Sequence, residues 1–381
     1  PLNKEAGGDL LNLLKSNRTA WLEEAQREVG IPLNAVSEIP VPAQLHIHRR
    51  GNPAAKGDAV QPAFPTILQS LNDLPKTPSI QRIETRISSG RRLALATWMT
   101  DPKHPLIRRV AVNRIWQHHF GRGIVPSSTD FGRLGDQPSH PELLDWLANE
   151  FLRNGGSHKS LHRIIMTSDA YLRSSNATAD QIAKDPENLL LSRFPMRRLT
   201  AEELRDSVLS VSGTLLQEMH GPPVHPPLPQ EVLNTQSVPG RGWPKQSATE
   251  TARRTIYVHV KRSLSLPLLA EHDQAPTDTP CAMRFVSTVP TQALGMLNSD
   301  FIADHARLLD DRVSKKSGPD PETAIRHGLR LTLQRTPSQA EISTVLTAHK
   351  AFRQQMALSP EDALQRVALL LLNMNEFIYL E

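Results

Sequence analysis

The sequence contains a single cysteine, Cys281, in 381 residues. One thiol cannot form a disulfide within the chain, so packing, hydrogen bonds and ion pairs must hold the fold together. The CxxCH motif that attaches c-type haem needs two cysteines, so no covalent haem is possible, and no other cofactor is expected within this chain. The sequence also lacks a Gly-rich phosphate loop, a nucleophile elbow and a paired-carboxylate signature. No familiar catalytic motif therefore points to an activity.

Aromatic residues make up only 4% of the sequence, and the net charge is only +5. A nucleic-acid surface would need clustered basic residues with stacking aromatics, so nucleic acid is not an expected partner. Of the 44 basic residues, 32 are Arg. Because a guanidinium pairs with carboxylates bidentately, this excess favours internal ion pairs. No stretch approaches the roughly 20 apolar residues that cross a bilayer, so no membrane span is expected.

Helical periodicity dominates the rest of the sequence. Residues 8–30 form one amphipathic pattern, which opens an N-terminal segment over 1–80 with a Pro-rich loop. Residues 81–217 are predicted to be a helical core, 218–262 a Pro/Gly-rich loop with a strand, and 263–381 a C-terminal helical sub-domain. The expected fold is mainly α, a bundle-like domain with several helices and long Pro/Gly-rich loops.

Two short segments alternate like strands, QLHIHR from Gln44 and TIYVHVKR from Thr255. They are predicted to pair as a small antiparallel element, about 44–49 with 254–262. Capping boxes predict helix starts at three positions, where a hydroxyl and the carboxylate three residues later satisfy free amides. The pairs are Ser139 with Glu142, Thr200 with Glu203, and Ser338 with Glu341.

Several long motifs resemble a known family. They are RRLALATWMTDPKHPLIRRVAVNRIWQHHFGRGIV from Arg91, DFGRLGDQPSHPELLDWLANEF from Asp130, RRLTAEELRDSVLSVSG from Arg197, STVPTQALGMLN from Ser287, and the C-terminal LLNMNEFIYLE. Together they resemble domain of unknown function 1553, abundant in planctomycetes and verrucomicrobia, over roughly residues 45–381. Two positions depart from the family pattern: Gly155–Gly156 replaces an expected Gly-Trp, and His272–Asp273 replaces an expected Phe-Asp.

The resemblance implies where the protein is located and which other domains accompany it. Family members lie at the C-terminal end of large exported proteins, so an extracytoplasmic location, in the periplasm or at the cell surface, is expected. The expected partners are other domains of the same parent protein, among them a cytochrome c-like module. The chain starts at Pro1 without a signal-peptide pattern, which suggests a fragment of such a protein. The resemblance supplies no catalytic residues.

The densest polar constellation lies between residues 113 and 145. The candidate catalytic residues are Arg114, His119, Asp130, His140 and Asp145. In an active cleft, a histidine would act as acid or base while a carboxylate oriented it. In the structural alternative, Arg114 pairs with Asp130 or Asp145 and locks the loop between two helices. The structural alternative is favoured, because a static charge lattice needs no substrate.

No metal site is predicted. His46 and His48 share one face of a strand, whereas His118 and His119 diverge on a helix. None of these pairs has the i, i+4 helical spacing of a zinc protease. Cys281, with Arg284 and His272 nearby in sequence, could form an activated thiolate, but free cysteines are more often buried and inert.

Candidate binding residues are Arg198, Arg254, Arg284 and Trp243. The charges from Arg197 to Asp206 lie at helical spacing, which favours an ion-pair lattice, with an anion site as the alternative. Trp243, in the Pro/Gly-rich loop, is the aromatic side chain reserved for a ligand.

Three functions follow from these patterns. The favoured one is a structural or partner-binding module of a surface complex that contains cytochrome c-like or glycan-processing domains. A hydrolase using the polar loop around 113–145 is the first alternative, and a carbohydrate-binding module is the second.

Overall fold

The computed structural model describes residues 43–68, 74, 89–318 and 320–380, and the predicted helix over 8–30 lies outside them. The chain divides into two units, Pro1–Ser168 and Asp169–Glu381. This boundary falls inside the segment 81–217 that helical periodicity groups together. The described residues are mainly helical, which confirms the predicted fold class. None of the described helices is long and apolar enough to cross a membrane.

The described residues of the first unit include one hairpin and four α-helices. The strands are β1 (Leu45–His48) and β2 (Lys56–Val60), and the helices are α1 (Arg91–Met99), α2 (Ile107–Phe120), α3 (Pro141–Arg153) and α4 (His158–Met166). Helix α2 ends at Gly121, whose φ of 77° belongs to the left-handed region that favours glycine. Helices α2, α3 and α4 pack on one another through side chains that they bury, among them Val112, Leu147 and Ile165.

The predicted pairing of residues 44–49 with 254–262 is wrong. Strand β1 pairs instead with β2 as an antiparallel hairpin, with Leu45 opposite Val60. A short loop closes at far lower entropic cost than one of two hundred residues, so the local partner is favoured. Residues Thr255–Tyr257 form a 3₁₀ turn, and the following Val258 makes only an isolated bridge to Val224.

The second unit contains the remaining elements. They are α5 (Ala179–Lys184), β3 (Arg197–Arg198), α6 (Ala201–Ser212), α7 (Gln230–Leu233), α8 (Ala248–Thr251), α9 (Pro267–Glu271), α10 (Pro290–Asn298), α11 (Asp300–Ser317), α12 (Pro321–Leu333), α13 (Gln339–Gln355), α14 (Pro360–Leu372), α15 (Asn375–Ile378) and β4 (Tyr379–Leu380). β3 and β4 pair antiparallel. The core lies between α6, α11 and α14, where Leu204, Leu309 and Leu372 are fully buried. Each buried leucine contributes about 1.5–3 kcal/mol, so this cluster fixes α6 firmly.

Local capping signals locate most helix starts. The boxes at Thr200 with Glu203 and at Ser338 with Glu341 are both present, which confirms those predictions. The box predicted at Ser139 with Glu142 is wrong. Pro141 takes the first helical position of α3, so His140 is the N-cap and Glu142 lies one position too early to close the box.

Candidate functional site

The polar loop after α2 is held by buried amide side chains. Asn113 of α2 is fully buried, and its side chain donates to the carbonyl of Val125 at 2.9 Å and accepts from the amide of Val125 at 2.8 Å. Gln117, one helical turn later, accepts from the hydroxyl of Ser128. A methyl group on Gly123 would lie only 2.5 Å from the Val125 carbonyl and 2.7 Å from the Nδ2 of Asn113, so the loop can pass this close to α2 only with glycine there. These bonds clamp the loop against the helix.

The five candidate catalytic residues of this region are not joined to one another. Asp145 pairs with Arg109 at 2.6 Å rather than with Arg114, so the predicted partner was wrong. Arg114 is exposed and makes no ion pair within the described residues. Asp130 accepts from the amide of Gly132 at 2.7 Å, which is a local turn contact. Asp130 therefore stabilises a turn of the loop, and Asp145 links α3 to α2.

The histidines of the region also have local partners. The Nε2 of His119 lies 2.8 Å from the Nδ1 of His162 on α4, and this hydrogen bond links the two helices. His140 lies 3.0 Å from the hydroxyl of Ser139. Across the described ranges, no three His, Cys, Asp or Glu side chains are grouped so that they could hold a metal ion. His46, in the hairpin, contacts the carbonyl of Gly57 at 3.0 Å.

The densest polar network lies in the second unit, around the start of α6. Arg198 has a side chain only 4% exposed. Its guanidinium donates to the Asp273 carboxylate at 2.6 Å, to the Ser287 carbonyl at 2.7 Å and to the His272 carbonyl at 3.3 Å. Asp273 also accepts from the amide and the hydroxyl of Ser287, at 2.9 and 2.8 Å. Arg198 and Asp273 thus fasten the segment around Ser287 to the body of the unit.

The electrostatics of Asp273 match this role. Burial alone would raise the pKa of this carboxyl, but hydrogen bonds from Ser287 and Arg198 and the charge of Arg198 outweigh burial and hold the pKa below its ordinary value. His272 beside it is buried, and burial lowers its pKa, so the imidazole is held neutral while its Nδ1 bonds the Leu268 carbonyl. The His-Asp pair that departs from the family pattern is therefore part of the structural network.

A second anchor holds the same segment. Arg284 donates to both oxygens of Glu202 on α6, at 2.6 and 3.0 Å. A bidentate pair of this kind fixes both position and orientation. Cys281, three residues earlier, is exposed, and its thiol contacts the carbonyl of Met283. Arg284, the cation that the sequence places near this thiol, interacts electrostatically with Cys281 while its guanidinium bonds Glu202.

Buried arginines also hold the segment 213–257. Arg205 of α6 donates to the carbonyls of Thr251 and Arg253 at 2.7 and 3.1 Å, and burial lowers its pKa to about 10. Arg253 is itself buried and donates to the carbonyls of Pro222 and His220. Arg254 is half-exposed and lies 3.6 Å from Asp206. These ion pairs join different elements, as the predicted lattice between helices would.

Trp243 does not present a face to solvent. Its indole is buried, its Nε1 donates to the Pro226 carbonyl at 2.9 Å, and the rings of His225 and His259 pack against it. The expectation of a ligand-stacking tryptophan is therefore wrong at this position. The Pro-rich loop lacks regular structure over most of its length. The Trp243 ring forms the centre of a small buried cluster within it.

The segment that begins where Arg198 and Arg284 anchor it carries six exposed apolar side chains that the sequence motifs did not reveal. These side chains, called the 283–297 face below, are Met283, Phe285, Val286, Val289, Leu294 and Leu297. Phe285 is 88% exposed and Val286 70%. The residues on either side of this pair, Arg284 and Ser287, point inward to their anchors. The apolar side chains are thus displayed on a segment held in place by ion pairs.

One carboxylate lies against helix α10, which carries Leu294 and Leu297 of this face. Glu271, the last residue of α9, makes no hydrogen bond or ion pair through its carboxylate within the described residues, and burial raises its pKa. Its Oε2 lies directly over Gly295 of α10, where any larger residue would overlap with it. The sequence could not identify Glu271, because the lack of a nearby counter-charge depends on which residues the fold places around it.

Comparison with known proteins gives one match. A family model described as "Protein of unknown function (DUF1553)" matches residues 91–349. No curated protein and no solved structure matches the chain. The matched region includes the clamped loop, the arginine network and the 283–297 face.

Proposed function

Since the chain belongs to the DUF1553 family of proteins of unknown function, we propose that it acts as a partner-binding module and that the 283–297 face is its contact surface. The observation that carries this proposal is the exposure of six large apolar side chains on one anchored segment. Exposed apolar patches of this kind mark interaction sites, because a solitary soluble domain gains nothing by displaying them.

The ion pairs that anchor the segment hold it in one conformation, which favours binding of a partner. Arg284 is held by both oxygens of Glu202, and Ser287 by Arg198 and Asp273. A segment that is already ordered loses little conformational entropy when a partner docks, so the same apolar area gives a higher affinity. The partner we propose is a protein surface, in keeping with a module of a larger extracytoplasmic assembly that contains cytochrome c-like or glycan-processing domains.

The alternatives have less support. A hydrolase site around 113–145 needs convergent side chains, and Asp130, His119 and Asp145 each bond a different local partner. A carbohydrate-binding module needs an exposed aromatic platform, and Trp243 is buried. Trp146 (49% exposed) and Phe285 (88% exposed) are exposed aromatics, but they lie in different units and do not form one shown platform.

The test is peptide binding to the purified chain. A display library of random linear peptides is selected on the chain, and the enriched peptides are measured by fluorescence polarisation. Phe285→Ser is the test variant, and Leu172→Ser is its matched control, because Leu172 is 70% exposed elsewhere in the second unit. Burying a phenylalanine contributes about 1.5–3 kcal/mol, so Phe285→Ser should weaken binding by about tenfold or more while Leu172→Ser leaves it unchanged.

Circular dichroism of both variants controls for folding. Selected peptides that bind Phe285→Ser as tightly as the unaltered chain would show that the contact surface lies elsewhere.

A further inference from the structure

Glu271 is a half-buried carboxylate without a counter-charge. Its side chain has no hydrogen-bond or ion-pair partner within the described ranges. Burying a charge without a partner costs free energy, and burial is what raises the pKa of this carboxyl. By contrast, the neighbouring carboxylates are each satisfied by an arginine, Asp273 by Arg198 and Glu202 by Arg284. The local arginines are therefore already committed to other carboxylates.

Glu271 is linked by hydrogen bonds to the segment that carries the 283–297 face. The side-chain amide of Gln292 on α10 donates to the Glu271 carbonyl at 3.0 Å and to the Ser287 hydroxyl at 3.2 Å, which ties the two segments together. The carboxylate itself rests on Gly295, directly next to Leu294 in the chain. A ligand that covers Leu294 and Leu297 would pass beside this charge.

We propose that the segment docking on the 283–297 face carries a lysine or arginine that pairs with Glu271, flanked by apolar residues that cover Leu294 and Leu297. This inference rests on the proposed function and names the chemistry of the partner. An entirely apolar partner would bury the carboxylate further without compensation, and an acidic partner would repel it. A cation supplies the missing charge, and the surrounding apolar contacts exclude water and strengthen the pair.

The experiment compares matched peptides. From the peptides selected on the chain, one that contains a lysine is synthesised together with its norleucine analogue, which keeps the alkyl stem and removes the charge. The unaltered chain should prefer the lysine peptide by about tenfold, because a charge-assisted bond out of water is worth that much. Glu271→Gln should abolish the preference, while Glu231→Gln, at an exposed carboxylate elsewhere, should preserve it.

Gly295→Ala gives a second test that keeps the charge. The added methyl group overlaps with the Glu271 carboxylate and must displace it, while the helix α10 tolerates alanine well. The lysine preference should therefore fall although Glu271 is still present. Gly295→Ala therefore tests whether the position of the Glu271 carboxylate matters, because the charge itself is kept.

The outcomes distinguish the two proposals. If Phe285→Ser weakens binding but Glu271→Gln leaves the lysine preference intact, the cation inference is overturned and the docking surface stands. If Phe285→Ser has no effect, the docking surface itself is overturned. Sedimentation velocity provides the remaining check, since self-association that Phe285→Ser abolishes would identify a second copy of the chain as the occupant and overturn the cationic partner.

Discussion

Replacing the buried Arg198 by methionine should destabilise the second unit. Methionine keeps an unbranched apolar stem and removes three hydrogen bonds, including the 2.6 Å pair with Asp273. Removing one partner of a buried ion pair costs about 3–5 kcal/mol, because the other charge stays behind without compensation. The Asp273 side chain keeps 24% exposure and its Ser287 bonds, so the lower end, about 3 kcal/mol, is expected.

Equilibrium urea unfolding measures this loss, with hydrogen exchange of α6 locating it in the second unit. Arg254→Met is the matched control, since Arg254 is 51% exposed and lies 3.6 Å from its carboxylate. An exposed pair of that kind contributes at most about 1 kcal/mol. Asp273→Asn combined with Arg198→Met should recover part of the loss, because the stranded charge is gone. Equal losses for Arg198→Met and Arg254→Met would refute the reasoning.

The contribution of the Arg198–Asp273 pair to the free energy of unfolding depends on pH in the acid range. The folded-state pKa of Asp273 lies below its ordinary value of 3.8, so its stabilisation is complete above that value. As pH falls through the folded pKa, the carboxyl becomes protonated and the contribution is lost. The difference in unfolding free energy between Arg198→Met and the unaltered chain should therefore narrow in strong acid. If this difference in unfolding free energy stayed constant into strong acid, the stabilisation by Arg198 would not depend on the charge of Asp273.

Other predictions concern single contacts. Asn113→Ala should cost about 2–3 kcal/mol in urea unfolding, because it strands both polar groups of a buried clamp; Arg114→Ala on the same helix should cost under about 0.5 kcal/mol. The pKa of Glu341 is lowered from 4.5 to about 2 by bonds from Arg335, so the destabilisation caused by Glu341→Gln should be complete above pH 4.5 and vanish as pH falls towards 2, in thermal melts. Trp243→Phe should lose about 1–2 kcal/mol and loosen the Pro-rich loop in proteolysis assays, because the carbonyl of Pro226 loses its donor.

Features that depend on neighbouring residues were predictable from sequence. The capping boxes at Thr200 and Ser338 need only a hydroxyl and a carboxylate three residues apart, and both form as predicted. The box at Ser139 failed because Pro141 fixes the first helical position by itself, which leaves His140 as the cap. The family match likewise rests on long local motifs.

Features that depend on distant partners were not predictable. The spacing of Arg198 and Glu202 suggests a pair within one helix, but α6 begins at Ala201, so Arg198 precedes the helix and cannot meet Glu202 across a turn. Each finds a partner more than seventy positions away, Asp273 and Arg284. The expectation for Trp243 failed for the same reason, since the Pro/Gly-rich segment 218–262 gave no sign that it would enclose its own aromatic core.

Asn113, Arg198, Arg205 and Glu271 differ in how their polar groups are partnered. Asn113, Arg198 and Arg205 are all buried, and each bonds at least two groups, so stability alone accounts for them. Glu271 lowers stability at neutral pH, because a carboxyl whose folded pKa is raised loses free energy as pH rises through the range above 4.5. Glutamine there would avoid this penalty at no steric cost. A charge that weakens the isolated fold beside an exposed apolar face is explained when a cationic partner completes it.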